Sequence, residues 1–82
     1  MSITYAGQRF LILGAGVTGS AVAASLKSRG GLVTIADDNS DNAVKPASID
    51  LSDFDAVVIS PGWRQDHPLV LKVLAIGLNI LN

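Results

Sequence analysis

Residues 9–26 read RFLILGAGVTGSAVAASL. Phe10, Leu11, Ile12 and Leu13 stand in succession. Unbroken apolar character over so short a run predicts a strand buried on both faces, over residues 8–13. Gly14 to Gly19 breaks the run, and an alanine-rich segment follows. Residues 17–29 read as a helix, with Val17, Ala21, Ala24 and Leu26 turned to the sheet. Arg29 falls in its last turn, where a cation suits the helix dipole. Gly30-Gly31 ends it. A glycine turn between a buried strand and a helix suits a phosphate. The phosphate belongs to a dinucleotide, a nucleoside triphosphate or a sugar nucleotide, and each implies a different protein.

Outward from this stretch the chain alternates. Leu32–Ala36 reads as a second strand, stopped by Asp37-Asp38-Asn39. Pro46 and scattered Asp, Asn and Ser argue against a long helix between residues 40 and 55, and a short strand is expected near residues 47–49. The run DAVVIS, residues 55–60, carries another strand, closed by Ser60-Pro61-Gly62. Pro68 opens a helix at its first turn that runs to Ile76, Gly77 caps it, and residues 78–81 form a last strand. Crossovers too long for hairpins imply right-handed parallel connections. The expected fold is α/β, a Rossmann-like three-layer αβα domain with a parallel sheet of four to five strands. Lys72 is the only charge between residues 69 and 76. A helix so apolar is expected to be covered on several sides; a face for a missing domain or a second copy is the alternative.

Composition narrows the function. A chain of 82 residues makes one domain at most. Such a domain buries only about 60% of its unfolded surface, and a hydrophobic content of 49% compensates in part. No cysteine is present, which excludes disulfides, thiolate metal sites and a cysteine nucleophile. A net charge of −1 gives no basic field for nucleic acid. The start, MSITYAGQRF, lacks a signal core, and no apolar stretch is long enough to span a bilayer. A cytoplasmic protein without membrane contact is expected. The closing LNILN reads as a strand just begun or just completed, as if the chain were cut from something longer.

Gly14, Gly16 and Gly19 match the dinucleotide-binding spacing, placed between strand and helix as its mechanism requires. Gly14 permits the sharp turn, Gly16 lets a phosphate oxygen reach the backbone, and Gly19 lets helix and strand pack closely. Ser20 follows Gly19 where a Walker A loop needs lysine, so ATP chemistry by this segment is not expected. Asp37 ends the second strand, where an acidic residue meets the ribose in NAD-binding folds. That leaves an NAD(P)-binding domain of an oxidoreductase as an alternative, and a nucleotide-sensing regulatory module as another.

LILGAGVTGSAVAASLKSRGGLVTIADD (residues 11–38), DAVVISPG (55–62) and DHPLV (66–70) together resemble the N-terminal domain of the Mur ligases. Ser60-Pro61-Gly62 favours the D-glutamate-adding type. The likeness runs from about Gly7 to Asn82. It implies a three-domain, ATP-dependent ligase of peptidoglycan synthesis that forms an amide bond. This chain would be the module that holds the UDP part of UDP-N-acetylmuramoyl-L-alanine. ATP, Mg²⁺ and the catalytic groups would belong to the central domain, with the C-terminal domain helping to bind the amino acid. No catalytic residue, metal site or cofactor is expected within these residues. Carried over by position, the backbone of Gly16, Val17, Thr18 and Gly19 would meet the diphosphate, with the Thr18 hydroxyl beside it. Asp37, Asp38 and Asn39 would face the uracil, and Ser60, Pro61 and Gly62 would wall the ribose. The connection from Asp37 to Asp55 is short for this family.

The remaining candidates read more plainly. His67 is expected to serve the start of the last helix and Asp66 to cap it. Trp63 is expected to be an exposed loop aromatic or a domain contact, with stacking on a base the lesser alternative, and Arg64 to be solvated rather than to reach a phosphate. Asp50, Asp53 and Asp55 read as turn and solvent residues at a strand entry, away from the binding edge.

Overall fold

The structure, a computed structural model, describes residues 5–81. Met1 to Thr4, part of the stretch searched for a signal core, and Asn82, the end of the last apolar run, lie outside the described residues. Four strands, β1 (Arg9–Leu13), β2 (Leu32–Ala36), β3 (Ala56–Ile59) and β4 (Asn79–Leu81), form one sheet in the order β2-β1-β3-β4. Every pairing is parallel. Two helices, α1 (Val17–Ser28) and α2 (Pro68–Ile76), complete the described α/β fold, with 3₁₀ turns at Pro46–Ser48 and Leu51–Asp53.

Strand β1 lies between β2 and β3, and its residues Phe10 to Leu13 are buried on both faces of the sheet. Strand alternation divides them. Leu11 and Leu13 join Val57 and the α2 residues Leu69, Val70 and Val73 in one core. Phe10 and Ile12 join Ala56 and the α1 residues Ala23 and Leu26 in the other. The result is one helix layer on each side of a sheet, the arrangement expected. Burying both faces of a strand removes its alternation, hence the unbroken apolar run.

Three local expectations are corrected. Helix α1 turns Gly19, Ala23 and Leu26 inward, and Val17, Ala21 and Ala24 are exposed. Its turns are mostly Ala, Ser and Gly, so hydrophobicity hardly distinguishes one face from another. The extra strand near residues 47–49 is a 3₁₀ turn instead. Pro46 lacks a ladder donor, and pairing occurs earlier, as a single parallel bridge from Val44 to Ala36. Helix α2 is not covered all round: Leu71, Leu74 and Ile76 are exposed. Gly77, at φ 70°, ends it in the left-handed conformation.

Registration sets up the functional edge. Leu13 pairs with both Ala36 and Ile59. The carboxyl ends of three strands are therefore level, and their following loops emerge side by side.

Candidate functional site

The loop after β1 is held by its neighbours. Gly14 has φ 110°, and a Cβ there would lie 2.9 Å from Cβ and Oγ of Ser60. A side chain is thus excluded by both conformation and space. Ala15 N–H donates to Asp37 Oδ2 at 2.8 Å. Asp37 Oδ1 accepts from Asn39 N–H at 2.8 Å, which closes the turn after β2. These two amides hold the Asp37 carboxyl below the usual carboxylate range, the Ala15 bond foremost, with Lys45 adding a smaller charge effect against the cost of burial. Asp37 is therefore a clamp between the two loops.

Gly19 is buried, and a Cβ on it would collide with the Gly14 carbonyl oxygen. Gly16 differs. It is the N-cap of α1, its backbone is extended, and a Cβ there would meet nothing within 4 Å. No side chain caps α1 and no acidic residue sits in its first turn. The opening amides of a helix have no carbonyl partner within it. They face outward here, with the positive end of the helix dipole behind them.

The space in front is a cavity of about 550 Å³. All ten residues nominated from the sequence line it: Gly16, Val17, Thr18 and Gly19 from the first loop, Asp37, Asp38 and Asn39 from the second, Ser60, Pro61 and Gly62 from the third. Trp63, Arg64 and His67 also line it, where the sequence favoured plainer roles for all three.

Trp63 is not an exposed aromatic. It is half-buried against the α2-side core, and its Nε1–H has no partner among the described residues. Its ring packs on that of His67, centroids 4.9 Å apart. Arg64 pairs with Asp66 at 3.2 Å, both well exposed. Asp66 therefore does not cap α2. His67 does, its Nδ1 accepting from Leu69 N–H at 3.1 Å. Pro68 follows as the first helical residue and has no N–H to satisfy. The closeness of His67 to a helix-opening proline was the available signal, and Asp66 stands one residue too early to use it.

Asp50 accepts from Ser52 N–H at 3.0 Å, and Asp55 accepts from Arg9 N–H at 2.8 Å. Both carboxyls are held below the usual range, Asp50 chiefly by the Ser52 hydroxyl and Asp55 chiefly by the Arg9 amide. Asp55 lies at the entry to β3, opposite the cavity. Among the described residues no group of three His, Asp or Glu side chains is placed to hold a metal ion. No described helix is long and apolar enough to cross a membrane.

Comparison with known proteins gives this geometry its context. The chain is 34% identical to a UDP-N-acetylmuramoylalanine–D-glutamate ligase from Corynebacterium diphtheriae, over 89% of the chain and 18% of the relative. Ligases of the same name from Bradyrhizobium diazoefficiens and Chlamydia caviae match at 34% and 39% identity, over 95% and 90% of the chain. The chain is a relative of the D-glutamate-adding Mur ligases. It corresponds to their N-terminal part and spans about a fifth of the length of the curated relatives it matches. No family model and no solved structure matches it. The Mur ligase resemblance noted from three sequence stretches thus holds across most of the chain.

Proposed function

We propose that this chain anchors the UDP moiety of UDP-N-acetylmuramoyl-L-alanine, as the N-terminal domain of a cytoplasmic, ATP-dependent ligase that adds D-glutamate during peptidoglycan synthesis. One observation carries the reading. Three level loops surround one cavity, and the ten nominated residues all line it. The open start of α1 supplies amides to the diphosphate, and Thr18 adds a hydroxyl. Each Asp37 oxygen retains a lone pair beyond its bond to a loop amide, enough to accept the uracil imide N–H. The Asn39 amide donates to a uracil carbonyl, and residues 60–62 wall the ribose. ATP, Mg²⁺ and the acyl-activating groups belong to the central domain of the longer protein, and the C-terminal domain assists with the amino acid.

The NAD(P) reading is weaker. Asp37 has the same free lone pairs for a ribose hydroxyl, but the relatives matched over most of the chain are by name UDP-N-acetylmuramoylalanine–D-glutamate ligases. Calorimetric titration of the chain with UDP, UDP-N-acetylmuramoyl-L-alanine and NADH separates the two. UDP and the muramoyl nucleotide are expected to bind weakly, since few cations face the phosphates, and NADH to bind no better. Tighter NADH binding reverses the assignment.

A further inference from the structure

His67 makes three contacts at once. Its Nδ1 accepts from Leu69 N–H at 3.1 Å, its ring packs on Trp63, and its Nε2 lies 3.5 Å from Asp38 Oδ2. The first contact decides the tautomer. A ring nitrogen that accepts a hydrogen bond carries no proton, so the neutral imidazole bears its proton on Nε2, the atom facing Asp38. Asp38 is held from the other side as well: its carbonyl accepts from Lys45 Nζ at 3.0 Å. The other charged groups beside His67, Arg64 and Asp66, are engaged with each other. His67 is therefore a strut. It brings the start of α2 within 3.5 Å of the turn after β2, beside the cavity that both line.

We propose that His67 is a positioning residue of this site, holding Asp38, and with it residues 37–39, at the distance from the 60–62 wall that a pyrimidine nucleoside requires. This rests on the uridine reading above. His67 acts through Asp38 and need not touch the ligand. The Asp38 side chain is 62% exposed, and exposed charged contacts are weak, so the expected effect is about threefold to fivefold in affinity.

Two measurements on the 82-residue chain test it. The imidazole ¹⁵N resonances should report the Nε2–H tautomer and should shift in Asp38→Asn; an Nδ1–H tautomer, or no response to Asp38→Asn, overturns the strut. Calorimetry then follows UDP binding to His67→Asn, Asp38→Asn and the double variant. Asparagine keeps a capping oxygen for α2 but is too short to reach Asp38. Each single variant should bind UDP about threefold to fivefold more weakly, and the double no more weakly than either. Additive losses, or wild-type affinity in His67→Asn, overturn the positioning role. If the wild-type chain binds no UDP, the uridine reading fails on its own, and the ¹⁵N measurement still judges the strut.

Discussion

Helices α1 and α2 begin on the same edge of one sheet, each after a buried strand, yet they begin in opposite ways. Gly16 opens α1 and offers its first amides no side chain. His67 closes the start of α2 with its own ring, and Pro68 removes one amide altogether. An uncapped helix start costs stability, since capping residues contribute about 1 kcal/mol. A small domain with little to spare keeps one start closed and leaves the other open. The open one faces the cavity, where on the proposed reading the diphosphate takes the place of the missing cap.

The largest test of this contrast removes the packing that holds the open loop. Gly19→Val drives side-chain atoms into the Gly14 carbonyl, and urea unfolding should show a loss of about 3 kcal/mol. A wild-type midpoint would show that α1 does not press on the loop. Next, Gly16→Asp turns α1 into a helix as closed as α2. Stability should stay within about 1 kcal/mol of wild type, because aspartate is a good cap. UDP affinity should fall at least about tenfold, equivalent to 1.4 kcal/mol, since a carboxylate then occupies the phosphate position. Undiminished binding would place the diphosphate elsewhere.

Opening α2 is a smaller change. His67→Ala leaves Leu69 N–H without its partner and should cost about 1 kcal/mol, or roughly 4–8 °C in melting temperature for a domain this small. An unchanged melt would mean the His67 cap is not stabilising.

Smallest is the effect of acid on the clamp behind the open loop. The folded pKa of Asp37 lies below its unfolded value. Its contribution is therefore fully present above about pH 4 and is lost as pH falls through the depressed value. Asp37→Asn should flatten part of the acid limb of the stability curve. Asp50 and Asp55 titrate in the same direction and retain the rest. Parallel curves for variant and wild type would show that the clamp contributes nothing.

Some of this was legible beforehand and some was not. The four apolar residues of β1 and the spacing of Gly14, Gly16 and Gly19 announced strand, turn and helix, because burial on both faces and close backbone approach each demand particular residue types. The inward face of α1 was not legible, because alanines sit on every side and only Gly19 marks the contact. Trp63 was misplaced for a related reason. Composition identifies a loop, but the core on which that loop folds back includes Leu11, Leu13 and Ala36, which come from distant sequence.

By itself, the sequence determined a parallel α/β domain, the glycine turn and the Mur ligase relationship, since these rest on local patterns and contiguous motifs. Only the tertiary structure decided that residues 16–19, 37–39 and 60–62 share one cavity, that Asp37 clamps Ala15, and that His67 rather than Asp66 closes α2. Those facts depend on strand register, which levels three loops far apart in the chain. Register is a property of the assembled sheet, and no single segment carries it.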